Sequence, residues 1–155
     1  MSIQGLLLKG LIEKAVPDRS AIGALLGSAE SGIRDARSTV KNDPALGVSQ
    51  IYDVVYAACR ALMLSEGYRT VGETDYRAVL MFCHAALDPP YVETLDTLAA
   101  AERKRHDEMY DGCFSMDARE AGALLAKAAR LIGHVKEKIL NPKQTPNPNY
   151  KAQNP

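Results

Sequence analysis

Nine consecutive residues, Glu102-Arg103-Lys104-Arg105-His106-Asp107-Glu108-Met109-Tyr110, hold the side chains of this sequence best suited to chemistry. Val92, Leu95, Leu98 and Ala99 precede them as an apolar stripe at helical spacing. Seven residues on, the same stripe runs through Glu102, Arg105, His106 and Met109. An acid, a base and an imidazole thus take positions that the earlier turns give to aliphatic side chains. Buried charge is costly unless it is paired or used, so the spacing predicts a functional cluster. His106 would act as a general base or acid, because imidazole titrates near neutrality. Arg105 would grip phosphate through its planar fork, and Arg103 and Lys104 would track a nucleic-acid backbone. A plainer description competes with this one. Glu102 with His106, Arg103 with Asp107 and Lys104 with Glu108 are each one turn apart, and such surface pairs contribute roughly 0.3–0.5 kcal/mol. Arg105 would then pack its stem on a neighbouring helix and Tyr110 would fill the end of the bundle.

The elements that must position this run are helices. Ile3 to Ala15 reads as a first helix, ended by Val16-Pro17. Asp18 or Ser20 caps a second, whose stripe is Ile22, Leu25, Leu26, Ala29, Ile33, Ala36 and Val40, with Asn42-Asp43-Pro44 stopping it. In a third, Val48, Ile51, Tyr52, Val55, Tyr56, Cys59, Leu62 and Met63 repeat at spacings of three and four, and Gly67 suits a left-handed cap. A fourth spans roughly Asp75 to Leu87 and is broken by Asp88-Pro89-Pro90. The fifth runs from about Tyr91 to Tyr110 and is followed by an Asp111-Gly112 turn. Asp117 and Glu120 form a capping pair for a sixth, with Leu124, Leu125, Ala128, Leu131, Ile132 and Val135 on one side. No strand-like alternation is apparent. The expected fold is all-α, an antiparallel bundle of five to six helices over residues 1–140. Residues 141–155, rich in proline and asparagine, read as a disordered tail.

Composition narrows the function classes. With 155 residues the chain fits one domain and can bury a core unaided. Lysine plus arginine balance aspartate plus glutamate at 19 each, which argues against a dedicated duplex-DNA binder but leaves room for a local basic patch. Cys59, Cys83 and Cys113 are far apart and include no CxxC pair, so zinc is not expected. Cys59 and Cys83 fall on apolar faces and read as small buried hydrophobes. No His-Cys-Asp cluster has ligand spacing, and neither a metal nor a cofactor is expected. The start lacks the features of a signal peptide, and no apolar run is long enough to span a membrane. The expectation is a soluble, cytoplasmic protein.

Three stretches together resemble a known family. The first is Tyr52-Asp53-Val54-Val55-Tyr56-Ala57-Ala58-Cys59-Arg60-Ala61-Leu62 through Gly67-Tyr68-Arg69. The second is Arg103-Lys104-Arg105-His106 with Tyr110-Asp111-Gly112. The third is the final helix, opening near Ser115 with an alanine-rich inward face. In order and spacing they resemble the HEPN domains (higher eukaryote and prokaryote nucleotide-binding). The likeness covers about Val48 to Leu140. It implies a helical bundle that binds RNA or nucleotides, in many members a metal-independent endoribonuclease of toxin–antitoxin or defence systems, with its active site formed across a homodimer. The family motif is an arginine, a polar residue, three further residues and a histidine. Here Arg105 and His106 match its start, while Tyr110 stands where the histidine is expected. That departure resembles the branch of the family that binds without cutting.

Metal-free RNA cleavage needs a base for the 2′-hydroxyl, an acid for the leaving oxygen and cations for the phosphate charge. Two copies of Arg105 and His106 about a symmetry axis would supply these roles. Tyr110 would orient a phosphate or stack on a base, but a phenol titrating near pH ~10 is a poor acid. Arg69, beyond the glycine turn, is a second phosphate candidate. Tyr52, Tyr56 and Tyr68 are candidates for a base-stacking groove, although aromatic residues at helical spacing more often belong to the core. His84 reads as a hydrogen-bonded structural histidine, and His134 as a cation complementing the end of the last helix. The alternative function, also implied by the resemblance, is a non-catalytic interaction module that pairs with a nucleotidyltransferase-type antitoxin partner.

Overall fold

A computed structural model describes residues 1–72 and 76–142. Six helices and one small sheet make up the described residues: α1 (Ile3–Leu8), β1 (Ile12–Lys14), α2 (Arg19–Asn42), α3 (Pro44–Ser65), β2 (Tyr68–Thr70), α4 (Tyr76–Ala86), α5 (Pro89–Tyr110) and α6 (Ala118–Leu140). The expected tail lies outside the described residues from position 143 on, as does Asp75, the expected start of the fourth helix.

The longest contact in the bundle is a hairpin of α2 and α3. Asp43 alone connects them, closing α2 through its N–H to the Thr39 carbonyl and capping α3 through its carboxylate, which accepts from the Leu46 N–H at 3.2 Å. Pro44 occupies the first turn of α3, where a missing N–H costs nothing. The third helix therefore starts four residues before the expected Val48. Gly47 lies against Val40 and Gly32 against Val54. Partner numbers fall along α3 as they rise along α2, so the two helices are antiparallel. At Gly47 a Cβ would come within 2.9 Å of the Val40 backbone, so only glycine permits so close an approach.

Helix α3 is the axis of the core and packs against α2, α6, α4 and α5. Val48, Ile51, Val55, Ala58, Cys59 and Leu62 are essentially inaccessible. Burial on so many sides explains why its sequence is apolar well beyond a single stripe. Cys59 and Cys83 are buried thiols as expected, with the Cys83 Sγ–H directed to the Cys59 carbonyl at 3.5 Å. Burial pushes the Cys83 thiol well up, which makes it unreactive. No helix among the described residues is long and apolar enough to cross a membrane.

Two expectations are corrected. The first helix does not reach Ala15, and the chain does contain strands. Gly10 takes a positive φ of 69°, the Leu11 N–H returns to the Leu6 carbonyl and the Gly10 N–H to that of Leu7. This pair of bonds ends α1 after Leu8. Ile12, 2% exposed, then enters the core from a strand. β1 pairs antiparallel with β2 in the register Ile12↔Thr70, Glu13↔Arg69 and Lys14↔Tyr68. Three residues per strand are too few for alternation to be visible in sequence. Gly67, at φ 87°, does cap the end of α3 as expected.

His134 is also placed differently from expectation. It is 8% exposed rather than an open cation, with its ring 4.0 Å from that of Tyr91 at 8° between planes and its Nε2 3.6 Å from Asp88. Burial, with Lys138 one turn on, holds its pKa below the ordinary 6.5, against the opposing pull of Asp88 and Glu137. The unfolded chain therefore binds this proton more readily than the folded one. Stability is fully present above the unfolded value and is lost as pH falls through the window beneath it. His134→Phe keeps the ring stack and removes the titration. Its melting temperature is expected to fall less than that of the wild type between about pH 7 and about pH 5. Parallel losses in the two proteins would contradict this.

Candidate functional site

Helix α5 starts at Pro89 and Pro90 and buries Thr94, Leu95, Leu98 and Ala101 against the bundle. Its apolar stripe then meets charge and runs out into solvent. Glu102 and Arg105 are half-buried, while Arg103, Lys104, His106, Asp107, Met109 and Tyr110 are exposed, Tyr110 to 87%. The expectation of charge buried on the stripe is thus corrected. The last turns lie at the edge of the core, where charged side chains keep their water and need no burial.

Within the run, Arg105 is the organised group. Its Nε donates to Glu102 Oε2 at 2.9 Å and its Nη2 to Glu102 Oε1 at 2.7 Å, a bidentate pair three residues apart. Hydrogen bonding to Glu102, reinforced by Asp53 on α3, raises the already high pKa of the guanidinium. Asp53 is pushed above the usual carboxylate range by burial and by Glu102, with Arg105 pulling the other way. A guanidinium has five N–H donors. Two are used on Glu102, which leaves three for another anion.

The ion pairs anticipated from spacing are only partly present. Lys104 lies 3.9 Å from Glu108. Glu102 pairs with Arg105 in place of His106, and Arg103 has no ion pair with Asp107 among the described residues. Glu108 also accepts from the Ser115 N–H at 2.8 Å and the Ser115 hydroxyl at 2.9 Å. These bonds pin the loop after α5 and hold the Glu108 carboxyl below its ordinary range. Asp117 then caps α6 by accepting from the Glu120 N–H at 2.8 Å. His106 and Tyr110 lie one turn apart, ring centroids 6.1 Å apart and tilted at 50°. The structure therefore brings Arg103, Lys104, Arg105, His106 and Tyr110 together on one helix end.

Arg69 is not part of this group. It lies in β2, beyond the end of α3, where its Nε meets Glu13 Oε1 at 2.7 Å across the two strands. The stretch of α3 from Asp53, which faces Arg105, to Ser65 alone rises roughly 18 Å. Tyr68 is likewise remote. It packs on Phe82 with centroids 5.6 Å apart, as an edge of the core. His84 holds Asp96 of α5 at 3.2 Å, the structural role expected of it.

Sequence reasoning overlooked three participants: Asp53, Glu102 as the partner of Arg105, and Tyr76. Tyr52 and Tyr56 pointed toward the same place from one side. Tyr76 opens α4, stacks on Tyr56 at 4.0 Å and faces Tyr52 at 6.3 Å. Nothing in the periodicity of the fourth helix reveals that, because it depends on how α4 docks on α3. Tyr52 and Tyr76 line a cleft of about 400 Å³ between α3, α4 and α5, together with Leu80, Ala99, Glu102 and Arg103. Among the described residues no group of three or more histidines, cysteines or carboxylates is arranged to hold a metal ion.

No protein-family model, no curated protein and no solved structure matches this chain.

Proposed function

We propose that this chain is a HEPN-type helical bundle that binds RNA or a nucleotide at the C-terminal end of α5, acts as a homodimer in the cytoplasm, and belongs to a toxin–antitoxin or defence system. The observation that carries this reading is the contrast within the run. Arg105 is held in one orientation by Glu102 with donors to spare, while Arg103, Lys104, His106 and Tyr110 stand open to solvent around it. A pre-oriented guanidinium ringed by exposed cations suits phosphate, which it can meet bidentately. Binding is favoured over cleavage because Tyr110 stands where a second proton-transfer group would be needed and titrates too high to be an effective acid at neutral pH.

The direct test is incubation of the purified protein with total cellular RNA in EDTA, beside the Arg105→Ala/His106→Ala variant. The expected result is retention of RNA by the wild type alone, with weak cleavage at most. Efficient cleavage by the wild type would overturn the preference for binding. The absence of both retention and cleavage would overturn the whole reading.

The exposed ring of Tyr110 supports a further expectation. Tyr110→His is expected to raise metal-independent cleavage to a readily detected level, because an imidazole one turn from His106 supplies the missing group. A variant that folds, dimerises and leaves RNA intact would count against this account.

A second reading has its own observation. Met109 and Tyr110 are exposed apolar neighbours at the helix end, 53% and 87% accessible. Such a pair suits contact with a protein such as a nucleotidyltransferase-type antitoxin. A pull-down that is lost on Met109→Asp while RNA retention persists would favour it.

A further inference from the structure

The tyrosines between α3 and α4 contact none of the groups assigned above to phosphate. Tyr56, Tyr76 and Tyr52 form a run of near-parallel rings, with successive centroids 4.0 Å and 6.3 Å apart and planes 25° and 20° apart. Tyr56 closes the run on the core side at 7% exposure, whereas Tyr76 is 49% exposed and opens onto the cleft. A ring stacked on one side and open toward a cleft offers its surface to another planar group. At about 400 Å³ the cleft is of the size that takes a small ligand.

Charge around the cleft narrows the ligand. Glu102 is on its wall, fixed by Arg105 through one bond to each carboxylate oxygen. A carboxylate has about four acceptor sites, so two of them remain for donors. Arg103, on the same wall, is exposed. The cleft thus presents an aromatic surface, a pair of fixed acceptors and a guanidinium. A planar base with two adjacent N–H donors on one edge and a phosphate on its sugar matches all three. Among the RNA bases guanine has that edge, in its ring N1–H and its exocyclic N2 amine. The adenine and cytosine edges set an acceptor beside their amine, and uracil flanks its single N–H with carbonyls.

We infer that the cleft between α3, α4 and α5 binds a guanine base, stacked on Tyr76 and Tyr52, with its donor edge on Glu102 and its phosphate toward Arg103. The inference deepens the RNA-binding reading and rests on it where strands are concerned. Glu102 belongs to both sites, so a strand held at Arg105 has one base within reach of the cleft. The same chemistry could come from a free guanine nucleotide or from a guanine in single-stranded RNA, and the test separates them.

The full chain is titrated calorimetrically with GMP and UMP, and then with short single-stranded RNAs that differ only in containing or lacking guanine. GMP is expected to bind at least about tenfold more tightly than UMP. Tyr76→Ala is expected to weaken GMP by roughly 5- to 150-fold, the range for losing one base–aromatic stack. Tyr76→Phe keeps the ring and is expected to retain binding, which separates stacking from misfolding. Glu102→Gln is expected to bring the GMP/UMP ratio close to one. Equal affinity for GMP and UMP, or indifference to Tyr76→Ala, would overturn the inference. RNA binding that needs Arg105 but ignores both guanine and Tyr76 would overturn the cleft and leave the phosphate reading standing. GMP binding lost on Tyr76→Ala, with no affinity for either RNA, would support the cleft as a free-nucleotide site and overturn the RNA reading.

Discussion

Phe82→Ala is expected to lower stability by about 3–5 kcal/mol, the largest single loss anticipated in this chain. Phe82 is fully buried and is among the largest fully buried side chains. It projects from α4, a helix of eleven residues that touches α1, α3 and α5. Its ring also supports Tyr68, the residue through which β2 meets the core. Alanine would forfeit the transfer free energy of the ring and leave a cavity between elements too short to collapse into it independently. For a chain of this size the loss corresponds to a melting temperature lower by roughly 6–20 °C. Against a typical total of about 5–15 kcal/mol, the variant would lie near the threshold of folding. Thermal and urea melts followed by circular dichroism measure this directly. A loss below about 1 kcal/mol would mean that α4 is not anchored as described.

Arg105→Ala is expected to reduce RNA affinity by tenfold or more while costing little stability. The two outcomes separate because of where the pair sits. Arg105 and Glu102 have side chains 22% and 23% exposed, so solvent screens much of their attraction, and pairs of this kind contribute up to about 1 kcal/mol. Loss of the guanidinium leaves Glu102 and Asp53 facing each other without their shared cation. A melting temperature lower by a few degrees is therefore expected, without loss of the folded signal. Arg105→Lys keeps the charge but not the fork, and is expected to recover stability better than RNA affinity. Filter binding at two salt concentrations, alongside thermal melts, provides both readouts. Unchanged RNA affinity with a clearly lower melting temperature would make Arg105 a structural residue and sink the proposed function.

Much of the bundle was legible because helices write themselves at a period of 3.6 residues. Leu26, Ala29, Ile33, Ala36 and Val40 of α2 are buried, as are Val48, Ile51, Val55, Cys59 and Leu62 of α3 and Ala121, Leu124, Ala128, Leu131 and Val135 of α6. These residues sit where their spacing put them. The caps were legible for the same local reason. Asp18, Asp117 and Gly67 act within three or four residues of themselves. The strands were not, since three residues carry no usable period and their partners lie 56 positions apart at Glu13 and Arg69. The edge of the core was also illegible. The stripe of α5 continues in phase to Met109, yet burial stops at Ala101 because the neighbouring helices no longer cover the face beyond it.

Local pattern by itself determined the helices, their order, most of their ends and the charged run at 102–110, because each depends on residues a few positions apart. Tertiary structure alone decided that Arg105 pairs with Glu102 beside Asp53, that Arg69 is spent on Glu13, and that Tyr76 completes a stack with Tyr56 and Tyr52. Those relations join separate helices and strands, or select among several partners of equal spacing. Periodicity can say which face of a helix turns inward, but not which side chain of another element will meet it there.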